Sequence, residues 1–202
     1  MTSELAKAAV AEADRLEEAG DLRGAASVLT AAIEREPDEA WLYARRGYVY
    51  RLGKGWRRAI ADLDFALRLQ PDTPTPIFWR GTCRATIGDF DGAITDFARV
   101  IELQPDSPDA HWETGVIHVH RGDLAQAIRS YRMAYMLDPV GHDGLAQEIK
   151  SLEAQLFSRG DADQARQLEK GAGKDARRNA HDAKKKGEGD RPKSTIREDY
   201  KK

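Results

Sequence analysis

The sequence has a single cysteine, no long apolar run and no large excess of charge of either sign. One cysteine, Cys83, cannot form an intramolecular disulfide, which favours a reducing compartment. No segment approaches the roughly 18 apolar residues that a membrane-spanning helix needs. The acidic, alanine-rich residues 1–20 also differ from a secretory signal, which has a basic start and an apolar stretch. We therefore predict a cytoplasmic protein.

The composition indicates a chain with a thin core and much surface. Apolar residues make up 41% of the 202 residues and charged residues make up 33%. This balance suits a repeat protein, in which each unit contacts only its neighbours. The formal net charge of −2 argues against the chain as a whole binding nucleic acid or membranes by electrostatics.

Four prolines are spaced 34 residues apart and reveal an internal repeat: Pro37, Pro71, Pro105 and Pro139. Each follows an apolar run with helical periodicity, and proline terminates a helix because it lacks an N–H and clashes with the preceding turn. Other columns keep the same period. The small-residue column, for example, contains Ala13, Gly47, Gly81 and Gly115.

Each unit divides into two helical stretches around a helix-breaking turn. The turns are Gly20-Asp21, Gly53-Lys54-Gly55, Gly88-Asp89 and Gly122-Asp123. Glycine permits the positive φ that such a turn often needs, and aspartate can cap the helix that follows. Small residues in fixed columns let the two backbones of a unit approach closely.

The segments GYVYRLGKGWRRAIADLDFALRLQP, GTCRATIGDFDGAITDFARVIELQP and GVIHVHRGDLAQAIRSYRMAYMLDP resemble the core of tetratricopeptide repeats. The resemblance covers about residues 6–141. It implies an all-α, right-handed superhelical solenoid of four helix-turn-helix repeats, at about 6–39, 40–73, 74–107 and 108–141. Two positions depart from the pattern: Ala13 replaces the usual glycine, and Arg84 stands in the column of Tyr50.

The chain continues beyond the fourth repeat with a helix and a charged tail. Leu145, Ile149, Leu152 and Leu156 form one apolar stripe, so residues 143–158 are predicted to cap the open face of the last repeat. The solenoid domain is thus expected to span 4–158. We predict that 159–202 is mostly disordered and net basic, because it has too few large apolar residues to form a core.

No residue pattern points to catalysis, a metal or a cofactor. The sequence Gly53-Lys54-Gly55 lacks the spacing and the Ser/Thr of a phosphate loop. His111 and His118 share a helical face but stand in inward-facing columns, so we interpret them as core residues. Cys83 has no base nearby in the sequence and is interpreted as a small packing residue.

The resemblance implies that the first helix of each repeat lines a concave, ligand-binding side. Aromatic residues and arginine are the types most often found at binding hot spots. The candidate partner-binding residues are Trp41, Arg45, Tyr48, Arg51, Phe78, Trp112, Val116 and His120. The alternative is that some of these rings pack between adjacent first helices. Trp79 has no clear place in this scheme, and Trp56 is assigned to packing.

We predict a protein–protein interaction scaffold or adaptor that binds a peptide or a partner helix in the concave groove. Two alternatives stay open. The basic tail, with Lys184, Lys185 and Lys186, could bind nucleic acid or another anionic surface in a salt-dependent way. The repeats could also serve in homo-oligomeric assembly.

Overall fold

A computed structural model describes residues 3–142 and 144–158. These residues form nine α-helices and no strand, so the predicted all-α fold is confirmed. The helices are α1 (Glu4–Glu18), α2 (Leu22–Arg35), α3 (Ala40–Leu52), α4 (Trp56–Leu69), α5 (Pro74–Thr86), α6 (Phe90–Leu103), α7 (Pro108–Arg121), α8 (Leu124–Leu137) and α9 (Leu145–Ser158). The fold divides into two compact units. The first contains α1–α6 (residues 3–104) and the second contains α7–α9 (residues 105–142 and 144–158).

Two helices that come second in their pair, α2 and α6, are capped by an aspartate that follows the turn. The side chain of Asp21 accepts a hydrogen bond from the Gly24 amide at 2.8 Å, and that of Asp89 accepts one from the Gly92 amide at 3.1 Å. Each bond satisfies an amide that the helix itself leaves unpaired. The corresponding residue before α4 is Gly55, which has no side chain to offer.

The turns inside the helix pairs use the left-handed backbone conformation. Gly20, Gly88 and Gly122 have φ values of 80°, 83° and 77°. The residue 34 positions from Gly20 and from Gly88 is Lys54, which adopts φ 59° although it carries a Cβ. A non-glycine residue in this region is strained, because its Cβ approaches the following carbonyl.

Lys54→Gly is expected to raise the free energy of unfolding by about 1 kcal/mol, because it removes the left-handed strain that Lys54 bears. Urea denaturation followed by circular dichroism measures the change. Lys54→Ala, which keeps the Cβ, is the matched control and should leave stability within about 0.5 kcal/mol of wild type. Equal stabilisation by both substitutions would contradict the assignment of strain to this residue.

The small-residue column lets the two helices of a pair approach closely. A Cβ added to Gly47 would lie 2.9 Å from Cγ of Leu63, and one added to Gly81 would lie 2.7 Å from Cε1 of Phe97. Leu63 and Phe97 are fully buried and fill this space. Glycine is therefore required in these positions for packing and not for an unusual φ.

Buried ion pairs connect different helices of the first unit. Arg46 on α3 donates to both carboxylate oxygens of Asp62 on α4, at 2.7 and 2.8 Å. Its remaining terminal nitrogen donates to the hydroxyl of Thr30 on α2 at 3.0 Å. One guanidinium thus joins three helices of two successive pairs, and its bonds to Asp62 raise the pKa of Arg46.

The same arrangement recurs one repeat later with more charge. Arg80 on α5 donates to both oxygens of Asp96 on α6, at 3.0 and 2.5 Å, and to Asp64 on α4 at 2.7 Å. Arg84, which departs from the column of Tyr50, donates to the same Asp96 at 2.9 Å. The departure therefore has a packing role, because Arg84 helps neutralise a carboxylate that is only 2% exposed.

In the second unit α9 packs on α8. The apolar stripe of α9 joins buried residues of α8 in one core cluster. The members of this cluster are Leu124, Ala127, Ile128, Tyr131, Ala134, Leu145, Ile149, Leu152 and Leu156. At its edge Arg132 donates to Glu153 at 2.7 Å.

The predicted tail, 159–202, lies outside the described residues. Within the part of the chain that the structure describes, no helix is long and apolar enough to cross a membrane.

Candidate partner-binding surface

The first helices of the first unit lie side by side, since α3 contacts both α1 and α5. We call the surface that they share the first-helix face. Seven residues define it: Asp14, Glu17, Trp41, Arg45, Tyr48, Arg51 and Trp79. Four of the eight sequence-predicted residues belong to it, namely Trp41, Arg45, Tyr48 and Arg51.

The half-buried Tyr48 is at the centre of the first-helix face. Its ring centroid lies 4.6 Å from that of Trp79. The guanidinium groups of Arg45 and Arg51 lie over the same ring, 4.7 and 4.8 Å from its centroid. A tilted ring contact and two cation–π contacts fix the orientation of Tyr48 before any partner arrives.

Arg45 links this aromatic cluster to α1. Its Nη2 donates to Glu17 at 2.9 Å and also to Asp14, and the Arg45 side chain is only 11% exposed. Two carboxylates therefore neutralise a cation that the sequence suggested as a ligand contact. Arg45 acts here as a support for Tyr48 and for the packing of α1 on α3.

Trp79 is the member of the first-helix face that sequence reasoning did not place. Its ring packs against that of Tyr48 at an interplanar angle of 42°, and its centroid is 6.3 Å from that of Trp41. Only 8% of Trp79 is exposed, so it forms the base on which two half-buried aromatic rings rest. The available signal was its position 34 residues after Arg45, which assigns it to the same face.

The expectation that Phe78 is displayed to a partner is corrected. Phe78 is 3% exposed, and its ring centroid lies 5.5 Å from that of Phe97 on α6. Its column contains Ala44, which is 1% exposed. The helical spacing was misjudged by one position, because the column that contributes to the first-helix face passes through Arg45 and Trp79.

Trp112, Val116 and His120 belong to α7 in the second unit. Trp112 and Val116 pack at the edge of the α8–α9 core cluster, and the Trp112 ring centroid is 6.4 Å from that of His142. His120 is exposed. The side chains of Trp112 and Val116 thus contribute to the core of their own unit.

Comparison with known proteins decides the family. Family models for the tetratricopeptide repeat match residues 48–112 in one case, and residues 10–54 and 84–142 in another. The chain belongs to the tetratricopeptide repeat family. The repeat fold indicates a role in protein–protein interaction, and nothing in the described residues points to catalysis.

Individual relatives cover part of the chain or share only its fold. Protein SGT1 homolog of Bos taurus is 35% identical over 63 residues, which are 31% of this chain and 19% of that protein. The chain thus spans about a fifth of the length of the curated relatives that it matches.

Solved structures of other repeat proteins resemble the chain over most of its length. MamA from Desulfovibrio magneticus RS-1 is 18% identical with a TM-score of 0.69, covering 88% of this chain and 98% of that one. YrrB, described as a TPR protein with an unusual peptide-binding site, is 20% identical with a TM-score of 0.64, covering 88% and 90%. At these identities the two structures establish the tetratricopeptide fold alone.

Buried polar residues of the tetratricopeptide repeats fit packing roles. Burial raises the pKa of the Cys83 thiol to about 11, so the thiol is protonated at neutral pH and is a poor nucleophile. Burial lowers the pKa of His111 and of His118. Among the described residues no three His, Cys, Asp or Glu side chains are grouped to hold a metal.

The half-buried His111 is expected to make the protein less stable in mild acid. Because burial lowers its folded-state pKa, the unfolded chain binds a proton near the ordinary value of about 6.5 while the folded chain does not. The free energy of unfolding should therefore fall between pH 7.5 and 5.5. In His111→Phe the fall should be smaller, because the group that binds the extra proton in the unfolded chain is absent. Urea denaturation at both pH values measures the slope, and identical slopes in the two proteins would contradict the prediction.

Proposed function

We propose that the first-helix face of the first unit binds an extended peptide or a helix of a partner protein, and that the chain acts as a scaffold or adaptor. The observation that carries this proposal is the pair of half-buried rings, Trp41 and Tyr48, supported from below by Trp79. Rigid aromatic surface of this kind provides contact area at a small cost in conformational entropy.

The charges of the first-helix face indicate what the partner segment contributes. Arg45 is neutralised by Asp14 and Glu17, and its guanidinium lies over the Tyr48 ring. A strongly charged ligand would have to disrupt these contacts. The face therefore suits a segment that presents an apolar or aromatic side chain to Trp41 and Tyr48 and meets the surrounding charges with polar groups at its rim.

Quantitative capture of partners from a native lysate tests the proposal. The Trp41→Ala/Tyr48→Ala variant removes both rings and leaves Trp79 and the ion pairs of Arg45 in place. Phe157→Ala, in α9, is the matched control because Phe157 is aromatic and 71% exposed. Circular dichroism establishes that both variants are folded.

We expect the variant lacking Trp41 and Tyr48 to lose one or more partners by about tenfold or more, because truncated hot-spot aromatics cost over about 1.4 kcal/mol each. The Phe157→Ala control should retain them. Equal recovery of every partner by the three proteins would overturn the proposal. The roles suggested for the basic tail, for Trp112, Val116 and His120, and for self-association stay predictions.

A further inference from the structure

A cavity lies in the first unit, away from the first-helix face. It has a volume of about 890 Å³ and opens at the turn ends of the helix pairs. The wall is formed by α2, the end of α3, the turn at Lys54 and the start of α4, and Ile87 closes one side. None of the residues of the first-helix face lines it.

The cavity is lined by four cations and no carboxylate. The cations are Arg23, Lys54, Arg57 and Arg58, all of them exposed. Among the described residues no Asp or Glu forms an ion pair with any of the four. Arg46 and Arg80 of the same unit, by contrast, each bind carboxylates. The positive charge at the cavity is therefore uncompensated in the described part of the chain.

The positive charge is confined to the cavity, because the first unit as a whole is net negative. Residues 3–104 contain 14 Lys/Arg and 17 Asp/Glu, a net charge of −3. A long polyanion such as nucleic acid would be attracted at the cavity and repelled on either side of it. A short acidic segment, whose charge is confined to a few residues, fits this distribution better.

The floor of the cavity is apolar. Leu22, Ala26, Val49 and Trp56 line it, and Ile87 is 43% exposed at its edge. Tyr50 also lines the cavity and lies under the guanidinium of Arg58, 5.9 Å from it. A small anion such as phosphate would leave this floor uncovered, whereas a peptide can place an apolar side chain on it and carboxylates at its rim.

Two departures from the repeat pattern fall at this cavity. Gly55 replaces the aspartate that caps α2 and α6, which removes a negative charge from the cavity and leaves the α4 terminus without a side-chain cap. Lys54 replaces the glycine of the other turns and bears the left-handed conformation, φ 59°, to place a cation there. Backbone strain retained at a charged residue is characteristic of functional sites.

We propose that this cavity, lined by Arg23, Lys54, Arg57 and Arg58 over an apolar floor, is a second binding site that takes a short acidic peptide segment with one apolar residue. It does not depend on the first-helix face. A chain with both sites would bind two different peptide segments at the same time, which is the function of an adaptor.

The test uses the full chain and fluorescein-labelled peptides of about 12 residues, a length sufficient to cross the cavity as an extended segment. Each peptide has acidic residues around a central Leu, Phe or Trp, and a fourth peptide has Lys in place of the acidic residues. Fluorescence anisotropy gives the Kd. Arg57→Gln/Arg58→Gln removes two cavity cations. Arg35→Gln/Arg68→Gln removes two exposed cations elsewhere in the same unit and is the matched control.

We expect at least one acidic peptide to bind with a Kd below about 1 mM and the Lys peptide not to bind. The Arg57→Gln/Arg58→Gln variant should bind it about tenfold more weakly or worse, since two charge-assisted contacts are lost. The Arg35/Arg68 control should stay within about twofold. Trp56→Ala should weaken binding about fivefold or more through loss of the floor. Lys54→Gly should lower affinity while leaving the fold intact.

Three results would overturn the proposal. The first is that no acidic peptide binds the wild-type chain below about 1 mM. The second is an equal loss of affinity in the cavity variant and the control. That result would mean that the peptide responds to the net charge of the protein and not to the cations of the cavity. The third is tighter binding of an oligothymidylate of similar length, which would make the cavity a nucleic-acid contact. The Trp41→Ala/Tyr48→Ala variant should bind the acidic peptides like wild type, so this site and the first-helix face can fail separately.

Discussion

Asp96→Ala is expected to lower the free energy of unfolding by about 3 kcal/mol, because it leaves two guanidinium groups without their shared buried partner. Asp96 accepts hydrogen bonds from Arg80 at 3.0 and 2.5 Å and from Arg84 at 2.9 Å. Arg80 retains its contact with Asp64, which limits the loss. Desolvated charges cost most when one partner of a network is removed.

The exposed pair of Asp72 and Arg99 provides a matched control for Asp96. Asp72 binds Arg99 at 2.5 Å, but the two side chains are 67% and 43% exposed. Asp72→Ala should therefore cost less than about 1 kcal/mol. Chemical denaturation of both variants measures the difference. Similar losses would show that the buried network of Asp96 stabilises the α5–α6 pair no more than an exposed ion pair does.

Gly115→Ala is expected to destabilise the second unit by about 2 kcal/mol. Helix propensity alone favours alanine by about 1 kcal/mol. However, the new Cβ would overlap Cδ1 and Cε1 of Tyr131, a ring that is 3% exposed and packed in the α8–α9 core. Overpacking of this kind costs about 3 kcal/mol, so the clash outweighs the propensity.

The first repeat suggests how Gly115→Ala can be rescued. There Ala13 stands in the glycine column and Leu29 stands in the column of Tyr131, and both are fully buried. Gly115→Ala should consequently cost less in a Tyr131→Leu background, with a coupling of about 1–2 kcal/mol. Thermal or urea unfolding of the two single variants and the double variant measures the coupling. Simple additivity would contradict the direct contact.

Much of the fold follows from the repeat period. The 34-residue spacing of Pro37 and its counterparts sets the helix ends, and the glycine column sets which helices pair closely. These signals are local in sequence or repeated at a fixed interval. They can therefore be recognised without knowledge of the three-dimensional contacts.

The ion pairs and the aromatic cluster were harder to predict. Arg46 and Asp62 are 16 residues apart, and a charged residue on an amphipathic helix is more often solvated than paired. Trp79, and not Phe78, contributes its ring to the first-helix face, and this difference has a similar cause. Adjacent positions on a helix differ by about 100°, so an assignment that is wrong by one residue selects a different face of the helix.

The cavity at Lys54 shows a third kind of limit. Its lining comes from three successive repeats. In the sequence alone Arg23, Arg57 and Arg58 look like ordinary exposed helical residues, and Lys54 looks like an ordinary turn residue. Only the comparison of equivalent turns would have indicated the site, because Lys54 and Gly55 replace glycine and aspartate there.

The most direct test of the proposed partner-binding role is isothermal titration calorimetry with a purified partner captured by the wild-type chain. We predict that Trp41→Ala/Tyr48→Ala weakens the Kd by about tenfold or more. Arg57→Gln/Arg58→Gln and Phe157→Ala should leave it within about twofold of wild type. An unchanged Kd in the Trp41→Ala/Tyr48→Ala variant would contradict a binding role for the first-helix face.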